Sequence, residues 1–270
     1  MSAAWIRSVR ALIRREARRL KLQKATLVAR GAGLALLLAS THFVALTFSE
    51  HQPRSLQVFG SYFSFLIVGL VFADLAWICL TAPAERLRQG QLEGTLEFDL
   101  SGVLVGASFF LTLAAVPVAG SWLRALIILT AAGLFAGDAL DLAATLRVGL
   151  ALIAVTFALL PLGLIGAAIT LVYRRTDPLG RLLHAATMLL SGIAYPVSVL
   201  PEALQVVSAL LPTTTLLSCV RLAASPGAVP SGELSPLMAL VFSLAMWPLA
   251  AWVCRWADAR ARRHGTLSHP

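Results

Sequence analysis

Uncharged apolar runs alternate with short polar segments along this chain, and most of the runs are long enough to cross a membrane. About 20 apolar residues in a helix cover the ~30 Å hydrocarbon core of a bilayer. Residues 31–48, 148–173, 182–200 and 237–254 carry no Asp, Glu, Lys or Arg, and 58–80 carries only Asp74. These predict five spans. The stretch 103–137 is 35 residues with one charge, Arg124, and reads either as one span with an interfacial lead-in or as two spans.

The basic residues decide between these readings, because cytoplasmic segments are enriched in Lys and Arg. With one span there, the inner segments hold 18 basic residues against Arg54, Arg147 and Arg221 outside. Two spans would move Arg174, Arg175, Arg181 and the basic carboxyl tail outside, and 125–137 is only 13 residues, too short to cross alone. The expectation is an all-α membrane protein with six transmembrane helices in a single domain over 1–270. The third span is placed at 117–137, with 103–116 interfacial or inserted, and both termini are cytoplasmic.

Before the first span, Trp5, Val9, Leu12, Ile13, Ala17 and Leu20 recur at steps of three and four. They form one face of a helix whose remainder is rich in arginine, which predicts an interfacial amphipathic helix over 1–27 beside anionic head groups. An organelle presequence is the alternative reading.

Composition agrees with a lipid environment. The 270 residues are 58% hydrophobic and 13% charged, where soluble domains carry roughly a quarter charged residues. That excludes a cytosolic enzyme, a secreted scaffold and a nucleic-acid binder. The net charge of +9 is concentrated, since nine of 22 basic residues lie in the first 30, so it sets orientation and lipid contact. Cys79, Cys219 and Cys254 have no metal-like spacing and predict no disulfide. Twenty arginines against two lysines, with much Ala and Leu, point to a GC-rich bacterial genome and the inner membrane.

Two polar segments carry information. In the cytoplasmic loop 81–102, Pro83 suits a first helical turn, Glu85 favours the positive end of a helix dipole, and Gly94 ends the helix. A short helix along the membrane surface follows, placed to dock a soluble partner or simply to connect the spans. In the outer region 201–236, Pro201 and Glu202 start a helix that Pro212 stops, and a second helix covers 216–224. Thr213, Thr214 and Thr215 supply hydroxyls where backbone is not helical. Such backbone at membrane depth must be shielded or line a cavity, which marks a candidate gate.

The segment Gln91-Leu92-Glu93-Gly94-Thr95-Leu96-Glu97 resembles the acidic-x-Gly-Thr-Leu-Glu loop of the type-2 ATP-binding-cassette (ABC) exporter permeases, in the branch that moves drugs, lipids and lipo-oligosaccharides. Ser191-Gly192-Ile193-Ala194-Tyr195-Pro196-Val197-Ser198-Val199-Leu200-Pro201 is similar to that family's Ser-Gly…Pro…Leu-Pro signature, and Pro212-Thr213 and Arg221 fall where the family often has Leu-Pro-x-Thr and an arginine. One departure is Phe98-Asp99-Leu100-Ser101-Gly102, where two leucines and a nearby proline are usual.

The resemblance implies a permease subunit for an amphipathic, lipid-like or glycan-like substrate. Its partners would be two copies of a cytoplasmic ABC ATPase, a second permease copy in a homodimer, and membrane lipids. It makes Glu85, Arg86, Arg88, Glu93, Gly94, Thr95 and Glu97 candidates for a coupling helix that contacts the ATPase. It makes Ser191, Gly192, Tyr195, Pro196, Pro201, Pro212 and Thr213 candidates for an outer gate. No Gly-x-x-x-x-Gly-Lys-Ser/Thr phosphate loop occurs in the chain, so ATP and Mg would be bound by the partner subunit, and this chain carries no cofactor, metal or catalytic residue.

Asp74 and Arg124 are the intramembrane polar candidates. Asp74 is either functional or paired with Arg124 or an amino-terminal arginine. His42 and His184 stand alone and read as packing residues. Gly163, Gly166, Gly69 and Ala73 allow close helix approach within one subunit. Trp5, Trp247, Trp252 and Trp256 read as interfacial anchors. An ion-driven secondary transporter would need more mid-membrane carboxylates than Asp74 and an internal repeat. A membrane-embedded enzyme would need a convergent nucleophile, base or metal cluster.

Overall fold

The computed structural model describes residues 62–94, 107–136, 142–173, 178–225 and 236–263, with part of 33–47. The expected interfacial helix 1–27, the coupling candidates Thr95 and Glu97, and residues 103–106 of the lead-in lie outside the described residues. The described residues are helical, with no strand among them.

Among the described residues, seven helices from Tyr62 onward follow in chain order: α1 (Tyr62–Leu92), α2 (Ala107–Ala136), α3 (Leu142–Tyr173), α4 (Pro178–Leu190), α5 (Glu202–Leu210), α6 (Pro212–Ala224) and α7 (Pro236–Arg263), with a 3₁₀ turn at Val197–Val199. Among the described residues, three helices, α1, α2 and α3, are long and apolar enough to cross a membrane by themselves, and α5 and α6 qualify together as one pair bent by 83°. The chain therefore has the helical, apolar build of a membrane protein. The described positions between 33 and 47 are helical too, and this segment touches α1 through His42, whose ring meets Phe63 edge-on at 5.7 Å.

α1 is the hub. It packs against α2, α3, α4 and α6, while α7 lies along α3. Two apolar cores follow one another down the bundle. One, toward the start of α1, gathers Ile67, Phe72 and Leu75 with Leu129 of α2, Leu152 of α3 and Leu217 of α6. The other, toward its end, gathers Leu87 with Phe109 and Phe110 of α2, Leu164 and Leu171 of α3, and Cys254 and Ala257 of α7.

Helix limits differ from the expected elements in several places. α3 starts at Leu142 and not at 148, and α7 continues to Arg263 and not to 254. α6 starts at Pro212, so Thr213, Thr214 and Thr215 stand in helical backbone and not in the irregular stretch expected for them. α1 runs unbroken through Pro83, so the element expected as a separate surface helix is the last turns of α1. α2 begins at Ala107, ten residues before the expected start at 117, and contains Pro117. Of the run 182–200 only 182–190 is α-helical, as the end of the 13-residue α4, and irregular chain with the 3₁₀ turn follows. Gly192 there has φ +75°, a left-handed conformation that favours glycine, and Pro196, itself extended, has no N–H to continue a helix and disfavours helical backbone in the residue before it. Apolarity alone does not distinguish these arrangements.

The internal prolines explain two close contacts. A helical proline leaves the carbonyl four residues earlier without its donor. Pro83 frees the Cys79 carbonyl in this way, and α3 meets it with Gly163, where an added Cβ would overlap the Cys79 oxygen. Pro161 frees the Phe157 carbonyl, and Trp247 Nε1 of α7 donates to it at 3.0 Å. Trp247 is thus half-buried against α3 and is no free interfacial anchor, whereas Trp252 and Trp256 are exposed. Gly69 serves a third approach, since a Cβ there would come 2.5 Å from the Ile193 carbonyl oxygen. These glycines act in packing within one chain.

Candidate functional site

The polar side chains collect in three places: a turn network after α4, an ion pair between α1 and α2, and a cleft at the far end of α1.

The turn network is built on the break at Ser191–Gly192. Ser191 N–H closes the last turn of α4 on the Thr187 carbonyl at 3.0 Å. The Ser191 and Thr213 hydroxyls lie 2.8 Å apart, and the Thr187 hydroxyl is 3.2 Å from Thr213. Ser208 on α5 donates to the Leu190 carbonyl at 2.7 Å, and its hydroxyl lies 3.4 Å from that of Thr214. Hydroxyls from α4, α5 and α6 therefore satisfy one another in an apolar surrounding, where an unpaired polar group is costly.

Arg221 of α6 closes the network. Only 5% exposed, it donates from Nη2 to the carbonyls of Gly192 (2.7 Å) and Ile193 (3.1 Å), and its guanidinium stacks on Phe65 of α1 at 3.7 Å. A cation beside the carboxyl end of α4 is favoured by the helix dipole, and the aromatic face adds a second source of negative potential. Tyr62 donates to the Ala194 carbonyl at 2.8 Å, Tyr195 donates to the Leu189 carbonyl, and Gln205 donates to Leu200 at 2.7 Å. A Cβ on Gly192 would lie 2.8 Å from Val197 Cγ2.

All seven outer-gate candidates fall within this region. Ser191 and Thr213 bond each other, Gly192, Tyr195 and Pro196 form the turn, Pro201 caps α5, and Pro212 opens α6. Thr214 is one of the three threonines that the sequence marks as hydroxyl sources, whereas Thr187 and Ser208 are additional members that the sequence reading did not single out. Their signal was a hydroxyl residue interrupting apolar helix, with Thr187 and Ser191 four apart on one face. Arg221 entered only as an outer charge and a spacing match, and its burial was not anticipated.

Asp74 is paired with Arg124, one of the partners expected for it. Arg124 Nη2 lies 2.9 Å from Asp74 Oδ2 and 3.2 Å from Oδ1, Nε lies 3.3 Å from Oδ2, and Ser121 donates to Oδ2 at 2.6 Å. The pair ties α1 to α2, with Trp122 Nε1 beside it donating to Thr156 of α3 at 3.2 Å.

Of the coupling candidates, Glu85, Arg86 and Arg88 lie on the last turns of α1. Glu93 and Gly94 form the turn that ends it, with Gly94 at φ +67°. Thr81, Ala84, Glu85, Arg88, Gln89 and Leu92 line a cleft of about 230 Å³ together with Arg181 of α4. Arg88 Nη1 reaches the Gln91 side chain at 3.3 Å. Near the cleft, His184 packs edge-on against Trp77 with ring centres 4.6 Å apart. No group of three or more His, Cys, Asp or Glu side chains converges among the described residues, and Cys79, Cys219 and Cys254 are free thiols.

Comparison with protein-family models and with curated proteins finds no match for this chain.

Proposed function

We propose that this chain is the permease subunit of an ABC exporter, spanning the bacterial inner membrane six times with both termini in the cytoplasm. Two copies form the path for an amphipathic, lipid-like or glycan-like substrate, and separate cytoplasmic ATPase subunits bind ATP and Mg. The observation that carries the reading is the coincidence of two independent features at 191–224. The Ser-Gly…Pro…Leu-Pro signature read from the sequence falls on the segment where α4 breaks and α5 and α6 bend by 83°. A broken, hydroxyl-lined segment at membrane depth suits a gate, because its irregular backbone is shielded by protein.

At the other end, the Glu93-Gly94-Thr95-Leu96-Glu97 stretch begins where α1 terminates, and the charge bias of 18 to three in the six-span reading supports a cytoplasmic position for that end. In this reading Glu85, Arg86, Arg88, Glu93, Gly94, Thr95 and Glu97 carry the movement of the ATPase into α1, and α1 delivers it to the turn network through Phe65 and Gly69. The test is co-expression with candidate ABC ATPase subunits from the same genome. The expected result is a complex of two permease and two ATPase chains in mild detergent, lost on Glu93→Arg. A permease that never retains the ATPase overturns the proposal.

A further inference from the structure

The cleft at the end of α1 has the chemistry of a binding site for a phosphate group, and its surroundings indicate which kind of molecule bears that phosphate. Two arginines line it from separate helices, Arg88 from α1 and Arg181 from the first turn of α4. Gln89 is a further polar lining residue, the Thr81 hydroxyl is engaged with the Trp77 carbonyl of its own helix at 2.9 Å, and Ala84 and Leu92 supply an apolar wall. Arginine forks match phosphate oxygens in two-point contacts, and the first turn of a helix carries the positive end of its dipole. Among the described residues of the lining Glu85 is the one carboxylate against two arginines.

α4 continues from the cleft as an exposed apolar stripe. Leu182, Ala185, Met188 and Leu189 follow Arg181 at helical spacing on one face, with Leu182 67% and Leu189 60% exposed. A cationic cleft of head-group size with an apolar track leading away along a helix is complementary to one class of ligand. We propose that the cleft binds the phosphate head group of an anionic membrane lipid, with the acyl chains lying along Leu182, Ala185 and Leu189. This rests on the membrane placement of the helices and holds whether or not the chain exports anything.

The test uses the full chain in detergent, without an ATPase, and follows binding of phosphatidylglycerol by native mass spectrometry against phosphatidylcholine and against inorganic phosphate. Phosphatidylglycerol is expected to bind in preference. Arg88→Gln and Arg181→Gln are each expected to weaken it about tenfold, the scale of one lost charge-assisted hydrogen-bonded contact. Leu182→Gln is expected to weaken it as well.

Arg255→Gln removes an exposed cation from the neighbouring part of α7 and is expected to leave binding unchanged. Equal loss in the Arg255 variant would mean that general charge attraction holds the lipid, and the site would be rejected. Displacement of the lipid by millimolar inorganic phosphate, or equal binding of phosphatidylcholine, would also overturn it. Size-exclusion profiles of the variants without lipid separate lost binding from lost fold, and Arg181→Gln, at an exposed position, is expected to keep the wild-type profile.

Discussion

Trp247 Nε1 donates at 3.0 Å to the Phe157 carbonyl, the acceptor that Pro161 leaves without a helical donor. The proline of α3 and the tryptophan of α7 are thus two halves of one arrangement, and the rings of Phe157 and Trp247 pack 5.0 Å apart beside it. Trp247→Phe keeps much of the packing and removes the donor, which is expected to cost about 1–2 kcal/mol, the scale of an interhelical hydrogen bond in a membrane. Pro161→Ala restores an N–H to the same carbonyl. In the Trp247→Phe background it is expected to recover part of that loss, so the two effects are not additive. Additive shifts in thermal unfolding in detergent would show that the two residues act separately.

Gly163 and Gly149 both lie in α3 and are expected to respond oppositely to alanine. At Gly163 an added methyl group runs into the Cys79 carbonyl, and backbone cannot move aside as a flexible side chain can. At Gly149 nothing lies within 4 Å. Gly163→Ala is expected to lower the folded yield sharply by forcing α1 and α3 apart. Gly149→Ala is expected to be neutral or stabilising by about 0.5–1 kcal/mol through helix propensity. Matched expression and fluorescence-detected size exclusion of the two variants decide the matter, and similar behaviour of both would refute the close approach.

These contacts also indicate what the chain's pattern could and could not convey. Apolar runs located α1, α2 and α3 because length and lack of charge are what a bilayer requires. The Asp74–Arg124 pair was accessible as one of several possibilities, since each is the lone charge of its run. Pro83 was read as the start of a helix because that is its favoured position in water. In α1 the neighbouring α3 backbone shields the carbonyl it frees, and the helix passes through. The break at Ser191–Gly192 was written in Gly192 and Pro196, yet counting apolar residues from 182 to 200 overrode those signals. Arg221 looked like a surface charge because its compensation comes from the carbonyls of Gly192 and Ile193 and from Phe65, which are distant in sequence.

Asp74 and Arg124 are partly exposed, at 36% and 25% of their side-chain surface, and in an apolar surrounding each charge depends on the other. Removing one partner leaves an uncompensated charge, which costs more than removing both. Asp74→Leu and Arg124→Leu are each expected to lower thermal stability more than the double variant does. If instead the double variant shows the summed loss, the pair is not a unit. Ser121→Ala, which removes only the 2.6 Å hydrogen bond to Asp74, is expected to have the smallest effect of the set.

Arg221 joins three elements: the turn after α4, the helix α6, and α1 through Phe65. Arg221→Met fills similar volume without donors and leaves the Gly192 and Ile193 carbonyls unsatisfied, so it is expected to loosen the turn while the rest of the bundle holds. Arg221→Lys keeps the charge but cannot spread it over a planar fork on the Phe65 face. It is expected to be intermediate, closer to Met than to the wild type. Hydrogen exchange by mass spectrometry reads this locally. Faster exchange is expected in peptides covering 190–200 and in the first turns of α5 and α6, with no change in α3 beyond its contact with α6. Uniformly faster exchange would mean that Arg221 supports global stability and has no specific hold on the turn, and unchanged exchange in both variants would mean that the carbonyls need no capping by Arg221.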